Sequence, residues 1–478
     1  MPTTIIVSII VGIYLVSLVS ISIRVRKSGS TSEGFVNGGK LFLPVVIGLF
    51  MASEVIGTSA SIGTAQGAYE NGISVGWNIA ALGLGFILFA IFLAAKFREL
   101  NEITISGALE RAYGGTVRRL TSITMIASLL LVATAAYASG GAMFSTLFSV
   151  NSSLSIVFVG VISSLYVAIG GMRSVVYTNL VNITVKIIGI LIVAGFAYHL
   201  VGGYHGLRIS LPANMLSWDG IGYAQMGAWL IAGAGAMFST QYVVQSITTV
   251  GDGAKARRAS FYTSLILIPY GFIAALIGVS AAALHPEIDS IQALPTIVMD
   301  LNPVLAGVAV TGLAASVFGL ISALTIGSST LLLKDFYDPY FNRSGDDRRS
   351  VLFSRASVVV CGMIPVVLAL FATEVLEVTF LAKALRASLS VFVVLMFYKP
   401  GFGTKEGALA AVAISLLATI GWYLTGNPFG IDNAYVAIAV PIIVMSFTHL
   451  FHLGSKADSP LPQPGLDFSP AKKNAIHS

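Results

Sequence analysis

Four charged residues interrupt stretches of this sequence that are otherwise apolar enough to cross a bilayer: Glu54, Lys186, Lys383 and Arg386. A charge at membrane depth is costly toward lipid, so it faces the protein interior or a water-filled cavity and marks a pathway or binding site. Lys383 and Arg386 are three apart and share one face of a helix. An Arg guanidinium donates two parallel hydrogen bonds to a carboxylate, and three cations against one acid invite an anion. The pair points to a small organic anion, such as a monocarboxylate, or to a zwitterion that carries a carboxylate. The same residues would serve structure alone if they paired with carbonyls or loop acids, or snorkelled to an interface. Glu374 and Glu377 lie toward the other end of the run, and Glu377, six residues from Lys383, is off the helical pairing positions.

Glu54 lies within LFLPVVIGLFMASEVIGTSASIGTAQGAYENGISVGW, residues 41–77, where Gly57, Gly63 and Gly67 favour local unwinding. An unwound stretch near the membrane midplane frees backbone carbonyls, which is how carriers build sites there. The alternative for the small residues is close helix packing. Lys186 follows Asn179 by seven residues, which puts both on one helix face. Lys186 either faces the bundle interior or snorkels from roughly 15 Å below the interface.

These residues need helices to hold them, and composition supplies the class. The chain has 478 residues, of which 56% are hydrophobic and 10% charged, with a mean hydropathy of +0.87. This is an all-α polytopic membrane protein, whose partner is the lipid bilayer and not nucleic acid. Apolar runs of spanning length fall at about 3–23, 42–66, 72–95, 120–147, 153–171, 176–201, 221–248, 260–284, 303–333, 354–372, 375–398, 406–425 and 433–453, about thirteen spans. Arg24, Arg26 and Lys27 put the first loop in the cytoplasm, and the alternation holds afterwards: of 27 basic residues only Arg208 is external, and Lys186, Lys383 and Arg386 lie inside spans. The expected N-terminus is external and the C-terminus cytoplasmic, in the cell's inner membrane. The Pro- and Ser-rich tail from residue 454 reads as disordered. Cys361 sits in an apolar run and reads as an inert thiol. The six His residues show no metal-ligand spacing, no phosphate loop is present, and no cofactor or enzyme chemistry is expected.

The stretches FVNGGKLFLPVVIGLFMAS, GTAQGAYENGISVGW, IGGMRSVVYTNLVN, FSTQYVVQSITTVGDGAKARRAS and LAASVFGLISALTIGSSTLLLKDFY, in this order, closely resemble the sodium:solute symporter family, over about residues 4–453. The resemblance implies a leucine-transporter-like fold with a 5+5 inverted repeat. A leading helix and loop would occupy 1–41, the first five-helix repeat 42–201, the second 202–398, two trailing helices 399–453 and the tail 454–478. The function implied is secondary transport of a small solute by alternating access. Gln241 and Tyr242 fall in a stretch that the family uses near its substrate. Gln66 and Trp77 join them as cavity candidates by position, with Glu54, Lys383 and Arg386.

In the family a sodium ion is held by carbonyls of the second span and a hydroxyl pair of the ninth. By similarity the carbonyls are those of Ala52 and Val55, while Ser316, Gly319 and Leu320 stand where a small residue and the two hydroxyls belong. Glycine and leucine side chains offer no oxygen to a hard cation. A slip of one turn would bring Ser322 into reach. Asn179 replaces an expected acid along the same path. These departures suggest that the Lys186 ammonium stands in for sodium, with Glu54 as its counter-charge or as a second proton carrier. The coupling ion then stays open between H+ and Na+, with uncoupled exchange as a further alternative. A conventional sodium symporter and a transporter-like ligand sensor remain the competing readings.

Overall fold

In the computed structural model, residues 3–38, 41–148, 150–371 and 375–454 are described. Glu374, the side chain of Glu377 and the C-terminal tail beyond Gly454 lie outside the described residues. The described chain is nearly all helix. It comprises α1 (Thr3–Val25), α2 (Pro44–Val55), α3 (Thr64–Asn71), α4 (Trp77–Phe92), α5 (Ile105–Tyr113), α6 (Gly115–Phe148), α7 (Ser152–Leu200) and α8 (Tyr223–Ser239). It continues with α9 (Gln241–Ile247), α10 (Gly253–Leu284), α11 (Pro303–Leu331), α12 (Asp347–Ala369), α13 (Val375–Tyr398), α14 (Lys405–Leu424) and α15 (Asn433–Gly454), with short connecting helices between some of them.

Among the described residues, ten helices are long and apolar enough to cross a membrane, or eleven when the bent pair Pro44–Val55 and Ser59–Asn71 is taken as one. The difference from thirteen arises at two glycine- or hydroxyl-marked points. Residues 153–171 and 176–201 are two helices that meet without a loop at Gly171, where the backbone leaves helical geometry with φ 59° and ψ −159°, so the 49-residue stretch labelled α7 counts once although it holds both runs. Glycine adopts that conformation at little cost, whereas a side chain resists it. Residues 221–248 break at Thr240 into α8 and α9, each below spanning length.

Position in the bundle follows from side-chain size and polarity. α11 is rich in small residues and is enclosed on nearly all sides, packing against α7, α1 and α6. α1, α14 and α15 instead expose many large apolar side chains, as lipid-facing helices do. The bent helix α2–α3 runs through the middle against α7, α10 and α11. The start of α2 is tied to the end of the other broken segment by Phe42 N–H, which donates to Thr249 O at 2.9 Å.

Candidate functional site

The bend in α2 begins with backbone hydrogen bonds that go to the wrong partners. In a regular helix the Gly57 and Ala60 N–H groups would reach the carbonyls of Ser53 and Ile56. Here Gly57 N–H donates to Val55 O at 2.9 Å and Ala60 N–H to Gly57 O at 3.1 Å. The carbonyls of Ser53 and Ile56 are left over. The chain turns by 67° across this point, and a side chain at Gly57 would strike Leu320. Of the three glycines expected to unwind the segment, Gly57 lies at the break, whereas Gly63 ends a π-helical turn and Gly67 is inside α3.

Lys186 supplies the missing donors. Its ammonium donates to Ser53 O at 2.6 Å, Ile56 O at 2.8 Å and Ser53 Oγ at 3.2 Å. An ammonium has three N–H groups, so its capacity is filled. The side chain is 1% exposed, which rules out snorkelling. The carbonyls that meet it are one residue further along than the Ala52 and Val55 pair implied by resemblance. Ala52 O accepts from Ile56 N–H and Val55 O from Gly57 N–H, so both are occupied.

From α11, Gly319 completes the arrangement by having no side chain. A Cβ there would lie 2.7 Å from Asn179 Oδ1, 2.8 Å from Lys186 Nζ and 3.0 Å from Asn182 Nδ2. The ammonium therefore fills the volume that a side chain at 319 would enter. Leu320 turns to the cavity described below, and Ser316 Oγ is spent on Gly312 O at 3.1 Å. Ser322 is within reach of the network: it accepts from Asn179 Nδ2 at 3.1 Å and donates to Gly319 O at 2.7 Å. Asn179 Oδ1 accepts from Ser53 Oγ at 2.6 Å. Asn182, which sequence reasoning missed, donates to Asn179 Oδ1 at 3.4 Å and accepts from Tyr14 at 2.7 Å. Its spacing of four from Lys186 was the available signal.

Glu54 meets the expected charge pairing only through space. It attracts Lys186 electrostatically but makes no contact ion pair with it, and both carboxylate oxygens lack a hydrogen-bond partner although the residue is fully buried. It lines a cavity of about 40 Å³, with its carboxylate buried in the wall. Lys383 and Arg386 line that same cavity, with Tyr242, Val55 and Leu320. Lys383 Nζ donates to Asn78 Oδ1 at 2.8 Å and lies 4.8 Å from the Phe380 ring centroid. Arg386 donates to Ala382 O and Thr240 Oγ1, each at 3.2 Å, and lies near Tyr242 on the same cavity. Among the described residues neither cation pairs with an acid.

Three expected wall residues stand elsewhere. Gln66 donates to Ser290 at 3.4 Å and Trp77 Nε1 to Trp218 O at 3.0 Å, both in a loop layer at one end of the bundle. Gln241 is spent on backbone, accepting from Ile105 N–H at 3.0 Å and donating to Ile103 O at 3.0 Å, which fastens α9 to the segment before α5. These partners are far away in the chain, so no local pattern announces them.

Broken helices around a buried polar site inside a many-helix bundle define a membrane carrier of small solutes. The sodium:solute symporter family model matches residues 35–415, and the chain belongs to that family. It is 25% identical over 406 residues to the human high affinity choline transporter 1, covering 79% of this chain and 70% of that one. It is 22% identical to the osmoregulated proline transporter OpuE of Bacillus subtilis, covering 87% and 88%. Among solved structures, a substrate-bound, outward-open Na+-coupled sialic acid symporter superimposes with a TM-score of 0.82 at 15% identity, covering 96% and 99%. The nucleobase-cation symporter Mhp1 in a closed conformation gives 0.60 at 13% identity, covering 86% and 94%. At these identities the structural likenesses show the fold, a leucine-transporter-like bundle. The chain is thus a multi-pass secondary transporter of small solutes, and its family consists of transporters rather than enzymes.

Proposed function

We propose that this protein carries a small carboxylate-bearing solute across the cell's inner membrane by alternating access, with the Lys186 ammonium in the place where family members hold sodium. The observation that carries the proposal is the triple hydrogen bond from Nζ to the leftover oxygens of Ser53 and Ile56 beside a side-chain-free Gly319. A fixed cation bridges α2, α7 and α11 as an ion would, so the cycle needs no sodium. Transport is then proton-coupled or uncoupled. Lys383 and Arg386, buried and without an acidic partner among the described residues, support the carboxylate.

In this reading thirteen spans result when α7 counts as two helices meeting at Gly171 and α8–α9 as one broken helix. Residues 42–201 and 202–398 form the two inverted repeats, with the N-terminus external and the C-terminus cytoplasmic. The test is uptake into proteoliposomes of the purified chain, after thermal-shift screening against carboxylates, amino acids and sugars. Uptake should not change when sodium is replaced by potassium or choline, and an imposed proton gradient should raise it if protons are coupled. Strict dependence on sodium would overturn the role given to Lys186 and restore the conventional symporter. Arg386→Gln should raise the apparent KM for the carboxylate by about tenfold or more; unchanged transport would reject its role.

A further inference from the structure

The geometry points to a second recognition element in the same cavity, and we infer that Glu54 receives the ammonium of a zwitterionic amino or imino acid whose carboxylate is held by Lys383 and Arg386. The inference rests on the carboxylate reading above and narrows it. Its starting point is that Glu54 is left over. Lys186, which attracts it through space, has all three N–H groups engaged elsewhere, and the hydrogen bonds of Lys383 and Arg386 on the same cavity go to other groups. Neither Glu54 oxygen has a hydrogen-bond partner, and the residue lies fully buried in the cavity wall.

The residues of α13 on the same cavity have the reverse imbalance. Lys383 bonds Asn78, and Arg386 bonds Ala382 and Thr240. An ammonium and a guanidinium bring three and five N–H groups, so donors remain on both. The rest of the lining is largely apolar, with Leu82, Val132, Met237, Leu320 and Phe380. The cavity thus combines unmet acceptors on α2, unmet donors on α13 and apolar surface. A small amino acid with an aliphatic body has the matching groups.

A simple monocarboxylate would balance the total charge better, since the cavity holds two cations and one acid. It would nevertheless leave Glu54 in a solute-filled, water-poor cavity without a donor, and an unmet buried charged group is the more costly failure. Protonating Glu54 removes the charge but still leaves a buried O–H and C=O without partners. The cavity volume of about 40 Å³ is close to the roughly 30 Å³ that one water takes up in the liquid, so the solute must be compact and side chains must draw back to admit it.

The test uses the full-length purified chain and matched pairs of ligands: aliphatic amino and imino acids, each against the carboxylate that lacks the amino group, such as alanine with propionate and proline with cyclopentanecarboxylate. Dissociation constants are measured by calorimetry. In the wild type at least one amino or imino acid should bind about tenfold or more tightly than its twin. Glu54→Gln should abolish that preference, weakening the amino acid while the deaminated twin binds as well or more tightly, and Glu54→Asp should keep part of the preference. If wild-type protein binds the deaminated acids as tightly as the amino acids, the inference falls and the carboxylate reading stands. A preference that survives in Glu54→Gln has the same meaning. If no member of either series binds, the carboxylate reading fails and this inference with it. The wild-type comparison needs no variant, so a misfolded Glu54→Gln protein does not shield the proposal.

Discussion

Lys186 and Gly319 behave as one substitution written at two positions. The ammonium lies where a side chain at 319 would begin, 2.8 Å from its Cβ, and three hydrogen bonds keep it from moving away. Gly319→Ala should therefore lower stability by about 1–3 kcal/mol through overpacking, seen as a drop in the thermal-unfolding midpoint in detergent. Lys186→Met should cost more, since it leaves the Ser53 and Ile56 carbonyls without donors at about 1–3 kcal/mol each. The informative quantity is their coupling. In the Lys186→Met background Gly319→Ala should lose the part of its penalty that comes from the ammonium and keep the part from Asn179 Oδ1 at 2.7 Å and Asn182 Nδ2 at 3.0 Å. Additive effects would mean that the ammonium and residue 319 do not share this space. The absence of hydroxyls at 319 and 320 was readable from residue type alone. Which carbonyls the lysine meets was not, because the register depends on how N–H groups are redistributed around the bend, and that shifts the free pair by one residue.

At the scale of elements, the sequence announced the broken second span through its glycines and its acid, and it announced thirteen apolar runs. It did not show that two of those runs meet at a kink with no loop between them. The join depends on Gly171 adopting a positive φ while its Cα hydrogens pack on Phe35, where a Cβ would sit 2.9 Å from the Phe35 carbonyl oxygen. Gly171→Ala should destabilise the protein by about 1–3 kcal/mol, and the lesion should be local. Hydrogen exchange should rise in residues 32–37 and 168–176 and stay unchanged in α13. A uniform rise would mean that Gly171 is not a joint between two semi-independent helices. Gln241 illustrates the opposite limit of sequence reading. Its polar, span-centred position suggested a cavity wall, but Ile103 and Ile105 claim both ends of its amide, and those partners are brought to it only by the tertiary fold.

For the molecule as a whole, polar contacts fasten the bundle at opposite ends of α10, a helix of 32 residues and therefore about 48 Å long. Beyond its far end, Tyr69 donates to His285 O at 2.9 Å, and His285 pairs with Asp300 at 3.0 Å. On the side where α10 begins, Asp335, just beyond α11, is buried and accepts from Arg118 Nε at 2.8 Å and from Ser106 and Ser122. Arg118 also donates to Lys334 O at 2.7 Å and pairs with Glu110. This cluster ties α5, α6 and the end of α11 together. A carrier that alternates must loosen one fastening while the other holds, so weakening one should shift the conformational balance rather than solute recognition. Asp335→Asn leaves Arg118 without its buried partner. Because Arg118 keeps 22% side-chain exposure, the cost falls below the roughly 3–5 kcal/mol of a fully buried broken pair. The expected result is faster hydrogen exchange in residues 103–122 and 331–340 and an altered maximal transport rate, with the equilibrium affinity for solute at the α13 site changed by less than about tenfold, the equivalent of 1.4 kcal/mol. A variant that binds solute far more weakly while its loops exchange as in the wild type would place Asp335 in recognition and remove it from the conformational balance.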